Sequence, residues 1–528
     1  MNRLQSGKLF IYLVGIVAVF GTILLMKGGL YLNRHEGDAL HLIEIVRRMS
    51  LGEWPHLDFV TPLGFAAFWP IAAFMKAGFG TGTSILLAQI AMAVALILPV
   101  FYVVRTRMSA EIGYAFGAVV LILALALVHG EAGDDVSVSM HYNRWAWAMT
   151  YLAVPVAVFA PRSGESDVLD GLILGLAMSF LILGKVTFAV AFAPALIAAL
   201  VLRGAWTVLG VGLGLVLLCM LIPTATGGFA FWQAYIGDLL QVMGSEIRPR
   251  AGVDWATLLT GPRFVLANLV LLASIYVLRT GPRPEIGAVM VLLAPAFLYV
   301  TYQNWGNDPK WLMLLALILV LAGEEAKHRV LALVAVALIA PSFWNMAVSP
   351  LRHVKQNTED FVAVFPQAPH DDIFTPSARV NRVQERGTVT FTDPQFLALN
   401  EFADMVPDLE FQGITYPSCR QELGLLGVMR DVAADLRAVG LDDEARVFST
   451  DTFGGLWMFG GFDPLPGGAP WYYGGLSGFD SATHVLVPTC PITPRAFDAI
   501  ITALNETDGL ALTELRRTEL YTLYRKDQ

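Results

Sequence analysis

Apolar runs of roughly membrane length recur through the first two thirds of this chain, at residues 9–29, 82–104, 112–128, 145–160, 168–184, 186–202, 206–226, 263–279, 285–302, 310–322 and 328–347. A hydrocarbon core about 30 Å thick is crossed by roughly 17 to 25 helical residues and offers bare peptide groups no partner, so each run has to be helical. The expectation is a polytopic α-helical membrane protein with about eleven transmembrane helices over residues 1–349. Residues 350–528 lack such runs and read as a soluble α/β domain.

Composition agrees with lipid as the solvent: 15% of residues are charged, against about 25% in soluble domains. A net charge of −9 and the lack of any basic tract exclude a nucleic-acid binder, which needs clustered cations for phosphate. Three cysteines are too few for a disulfide scaffold. Cys419 and Cys490 can pair if their region lies in an oxidising compartment, or stay as two buried thiols, while Cys219 sits in an apolar run. Residues 9–29 are longer than a signal-peptide core and lack a small-residue cleavage site, so they read as a retained first helix.

With the N-terminus inside, the connections bearing Arg105 and Arg107, Arg162, Arg203, Arg279 and Arg283, and Lys327 and Arg329 all fall on the cytoplasmic side. This holds only if Leu63–Phe79 does not cross, and Pro62, Pro70 and Gly78 make it a short helix along the outer surface. The C-terminal domain is then extracytoplasmic, on a cytoplasmic (inner) membrane. Within it, 445–450 and 483–488 read as buried strands, Thr493 as the cap of a helix near 494–505, and 510–524 as a hairpin.

Polar chemistry gathers on the outer side. The first outer loop opens with Asn33, Arg34, His35, Glu36, Gly37 and Asp38, where Asp38 heads an amphipathic interfacial helix to Met49 with His41, Glu44 and Arg48 on its polar face. Carboxylates at a membrane boundary can act as a general base, bind a metal or solvate a helix end. The second outer loop carries Asp134 and Asp135, which could hold a divalent metal that the sequence does not require, and then Arg144, whose guanidinium suits phosphate. Trp145 and Trp147 read as interfacial anchors. Lys185 interrupts an apolar stretch at an outer turn, and Asn304, Asp308 and Lys310 form a polar cluster between two apolar runs.

This pattern resembles the GT-C class of integral-membrane glycosyltransferases, the superfamily of protein O-mannosyltransferases and lipid A aminoarabinose transferases. The likeness covers roughly residues 5–350 and is carried by His35 to Asp38, by Gly52 to Gly64, by a surface helix before the second span, and by the apolar segment from Gly175 to Lys185. It implies transfer of a sugar from a polyprenyl-phosphate donor to a glycan, lipid or protein acceptor on the outer face, with Glu36 or Asp38 as catalytic carboxylate. The common pattern in the class is Asp-Glu; here His35 takes the place of the Asp, with Glu36 beside it. Arg144, Lys185, Asn304, Asp308 and Lys310 would bind the donor's phosphate or the substrate, the three cations being those suited to phosphate. The rival is a transporter or flippase for a lipid-linked or polar substrate, but transporters place ionisable groups near the midplane, often in repeated halves, whereas here they gather at one face.

Overall fold

In lipid every peptide group must be satisfied within its own segment, and the computed structural model of the chain, which describes residues 3–130, 133, 135–162, 166–245, 247, 254–303, 308–365, 372–385 and 407–527, is accordingly dominated by helices. In order these are α1 (Arg3–Leu25), α2 (Glu36–Leu51), α3 (Trp69–Lys76), α4 (Thr81–Arg107), α5 (Ala110–Leu125), α6 (His141–Val158) and α7 (Asp167–Gly184). There follow α8 (Val186–Leu202), α9 (Trp206–Met243), α10 (Trp255–Thr260), α11 (Val265–Arg279), α12 (Pro284–Tyr302), α13 (Trp311–Ala322) and α14 (Ala326–Lys355). Each apolar run of the sequence lies on one of them. Among the described residues six helices, α1, α4, α7, α9, α12 and α14, are long and apolar enough to cross a membrane. Leu213, Leu217, Leu218 and Leu221 of α9 stay exposed, as lipid-facing residues must. That helix kinks at Gly228 (φ 61°, ψ −151°), a conformation favoured at glycine, five residues after Pro223.

The stretch from Leu63 to Phe79 is not one membrane-length helix. Its only α-helix is α3, eight residues starting beside Pro70, or about 12 Å of rise, well short of the hydrocarbon thickness. At the end of the bundle away from the C-terminal region, Arg107 pairs with Asp170, both fully buried, and donates to the Phe159 carbonyl at 3.0 Å. Arg203 donates to the carbonyls of Val156 and Ala157 at 2.7 and 2.8 Å. These bonds tie together α4, α6, α7 and α8.

The C-terminal region is built from small sheets. In the first, β1 (Leu30–Tyr31) lies parallel to β3 (Ile373–Pro376), which pairs antiparallel with β2 (Phe361–Ala363), so the exit of α1 is a strand of the same sheet. Strands β4 (Val383–Glu385) and β7 (Arg420–Leu423) pair, as do β5 (Leu409–Phe411) and β6 (Ile414–Tyr416). The largest sheet has the order β10-β11-β9-β8, from β8 (Val447–Ser449), β9 (His484–Pro488), β10 (Leu512–Arg517) and β11 (Tyr521–Lys526). Helices α15 (Leu425–Ala438), α16 (Trp457–Gly460) and α17 (Pro494–Asn505) complete the region. The expected strands, helix and hairpin are all present. Thr493 holds the cap position of α17 without a side-chain bond to the helix. Cys419 and Cys490 form a disulfide with Cα atoms 5.3 Å apart, and Cys219 is a free thiol.

Two expectations are corrected. Trp145 and Trp147 are fully buried inside the bundle; Trp147 packs edge-on against Phe188 at 5.2 Å, so neither can anchor an interface. Helix α2 is not an open amphipathic helix: His41, Glu44 and Arg48, on its polar face, are buried beneath the C-terminal region. Nor does Asp38 cap it. The helix starts two residues earlier, with His35 at the cap position.

Candidate functional site

The loop between β1 and α2 runs straight into the first turn of α2, which carries both carboxylates of the sequence motif, and its neighbour is the segment leading into α6. The two are laced together. The Asn33 amide side chain accepts from the Val136 N–H at 2.6 Å, and the Asn33 N–H donates to the Val136 carbonyl at 3.2 Å. Arg34 meets Asp135 at 2.7 Å, and His35 Nδ1 bonds the Ser137 hydroxyl at 3.0 Å. The Ser139 hydroxyl donates to Asp38 Oδ2 at 2.6 Å. His35 is held at φ 60°, a left-handed conformation that costs a non-glycine residue energy and persists where surroundings impose it. Burial pulls the His35 imidazole below its ordinary range, with Asp38 the largest opposing influence.

The two carboxylates stand in different company. Glu36, on the first residue of α2, receives a single guanidinium nitrogen of Arg379 on both its oxygens, at 3.0 and 3.1 Å. Arg379 lies just after β3 and also donates to the Asn33 carbonyl at 2.8 Å. Asp38 faces a neutral hydroxyl.

Lys185 separates α7 from α8 and points its ammonium at the face of Tyr142, 5.1 Å from the ring centroid. Ser139 and Tyr142 are three residues apart at the start of α6, so Asp38 and Lys185 are both held against the same helix N-terminus. The loop from Gly52 to Gly64 closes on this place: the Gly64 N–H donates to the Gly184 carbonyl at 3.3 Å, and a Cβ at Gly64 would collide with the Leu183 carbonyl. Only glycine admits so close an approach.

Other expected donor-binding groups are placed differently. Arg144 is wholly buried one turn inside α6, donating to Gln89 Oε1 and the Leu123 carbonyl, each at 3.1 Å. Its Nε and Nη2 have no hydrogen-bond partner among the described residues. Asp308 pairs with Lys310 in a buried contact beside Gly130, so the lysine's charge is already balanced. Asp135 is engaged by Arg34, while Asp134 and Asn304 lie outside the described residues. Among the described residues no three His, Cys, Asp or Glu side chains are grouped to hold a metal.

Helix α2 leads from this loop beneath the C-terminal region, where sequence reasoning missed a buried network. Arg48 bonds Glu44 at 3.1 Å, Glu53 at 2.9 Å and the Leu465 carbonyl at 3.2 Å, and Trp457 donates to Glu44 at 3.1 Å. Next to Arg48 lies a small, open pocket lined by Ser449, Asp451, Thr452, Tyr472 and Ser477. Burial pushes the Asp451 carboxyl up to about 6, against backbone N–H groups of Ile492, Thr452 and Thr493 that favour its charge. Burial likewise raises the Tyr472 phenol to about 12. Ser139 and Arg379 were also missed; hydroxyls at Ser137 and Ser139 just ahead of a helix were the one available signal for that docking surface. No family model, no curated protein and no solved structure matches the chain, so the chemistry rests on these contacts alone.

Proposed function

We propose that this chain is a membrane glycosyltransferase of the GT-C type, crossing the membrane eleven times with its C-terminal region outside. In this reading it takes a sugar from a polyprenyl-phosphate donor. The observation that carries it is that Asp38 and Lys185 each contact the start of α6, a carboxylate through Ser139 and a cation over Tyr142. Helix N-termini present free N–H groups and a partial positive charge, which suit a phosphate. Lys185 adds a full charge at the same level, and Arg144 lies one turn behind.

Asp38 is the base in this scheme. Glu36 already has both oxygens on Arg379, whereas Asp38 accepts from one hydroxyl on Oδ2. The acceptor oxygen attacks the anomeric carbon, and its proton goes to Asp38. The bond from that carbon to the phosphate oxygen breaks, its electron pair leaving with the phosphate, where the helix terminus and Lys185 offset the growing charge. The disulfide supports an extracytoplasmic C-terminal region, because such bonds persist in oxidising compartments. The test is transfer from synthetic short-chain prenyl-phosphate mannose, glucose, galactose and arabinose by the purified protein in lipid nanodiscs, read as release of prenyl phosphate. Turnover of none of the four by the wild-type protein, or equal turnover by Asp38→Asn, rejects the reading.

A further inference from the structure

The C-terminal region does more than cover the bundle. It brings Arg379 onto the start of α2, whose first turn carries both carboxylates, and two features hold that guanidinium in place. Strand β3 is hydrogen-bonded in parallel to β1, with Leu30 opposite Ile373 and Tyr31 opposite Phe374, and the Tyr31 and Phe374 rings stack at 4.6 Å. The chain then turns at Ser377–Arg379 directly over Asn33 and Glu36. Gln356 adds a bond to the Tyr31 carbonyl at 2.9 Å. Arg379 thus reaches its two acceptors from an element that shares a sheet with the loop it contacts.

We propose that Arg379 is a positioning residue for the transfer reaction: it holds Glu36 in an ion pair and the loop backbone at Asn33, leaving Asp38 as the carboxylate that faces the acceptor. This rests on the reading of Asp38 as base. Glu36 and Asp38 lie two residues apart in the first turn of α2, so two unpaired carboxylates there would repel and compete for the acceptor proton. A guanidinium on Glu36 removes that competition and fixes the start of the helix that bears Asp38. The C-terminal region is then a component of the active site, acting at a distance of one ion pair.

The experiment is a double-mutant cycle on the full-length protein, with Glu36→Gln, Arg379→Gln and the pair, in the prenyl-phosphate assay and in thermal unfolding at low salt. Because Arg379 acts through Glu36, each single variant should lower the rate at saturating donor about tenfold with the donor KM unchanged. The double variant should be no slower than either single, and Arg379→Lys should recover part of the loss by restoring a cation. Losses that multiply to about a hundredfold, or a change confined to donor KM, overturn the proposal. The thermal arm is independent of sugar chemistry: midpoint shifts of the two single variants that simply add in the double overturn it, and non-additive shifts support the pair. Wild-type protein that turns over none of the probes while the shifts are non-additive refutes glycosyl transfer and upholds the pair.

Discussion

Asp372 caps a helix that begins at Thr81, far earlier in the chain: its carboxylate accepts from the backbone N–H of Gly82 at 2.6 Å and of Thr83 at 2.7 Å, and from the Thr83 hydroxyl at 2.6 Å. The N-cap position of α4 is Gly80, which has no side chain to serve the free N–H groups of the first turn. A residue from the C-terminal region supplies it instead. Replacing Asp372 with Ala should destabilise the protein by about 1 to 2 kcal/mol, as cap deletions do, lowering the thermal midpoint, while Asp372→Asn should recover part of the loss.

Loss of the base and loss of the cation should be separable in steady-state kinetics. Asp38→Asn keeps the shape and one acceptor for Ser139 but cannot take a proton, so kcat should fall about 10² to 10⁴-fold with donor KM little changed. Lys185→Ala should raise donor KM and leave kcat closer to wild type. Equal behaviour of the two variants would remove the division of labour.

Burial raises the Asp451 carboxyl from 3.8 to about 6, so the folded protein holds that proton more tightly than the unfolded chain. The stability this gives is complete below pH 3.8 and is lost as pH rises to about 6. An Asn at this position does not titrate. The wild-type thermal midpoint minus that of Asp451→Asn should therefore fall between pH 4 and pH 7, and a difference independent of pH over that window would contradict the assignment.

The Cys419–Cys490 bond closes a segment with a sequence separation of 71 residues. Removing such a link returns loop-closure entropy worth up to about 4 kcal/mol to the unfolded chain, so Cys490→Ser should lower the thermal midpoint of the C-terminal region. Peptides from protein kept unreduced should show the two cysteines joined and Cys219 as a thiol.

Orientation can be read with labelling. In protein whose Cys219 is replaced by Ala, an impermeant maleimide applied to intact cells should reach a cysteine introduced at Asp360 and miss one at Arg105, since the proposed topology puts these on opposite sides. Labelling of both from outside would invert the scheme.

The parts legible in sequence are those where local composition decides. Lipid forces every long apolar run into a helix, and Pro62, Pro70 and Gly78 mark the breaks that leave Leu63–Phe79 with only a short α-helix. The first-loop carboxylates and Lys185 stood out because a charge beside an apolar run is rare. What failed depended on partners distant in sequence. Trp145 and Trp147 carry no mark distinguishing an interfacial indole from one packed against Phe188. The polar face of α2 could not announce that Trp457 and Leu465 would cover it, and nothing near Arg379 points to a glutamate 343 residues earlier.

That separation also sets an order of events in synthesis. The strand at Leu30 and Tyr31 emerges among the first residues made, yet its partner at Ile373 and Phe374 comes only after α14. At about 5 to 20 residues per second, the turn of α2 bearing Glu36 and Asp38 waits roughly 20 to 70 seconds for Arg379. Through that interval the bundle can insert and pack with the start of α2 unpaired, and a ribosome that stops short of residue 379 leaves a membrane-embedded chain that lacks the ion pair at Glu36.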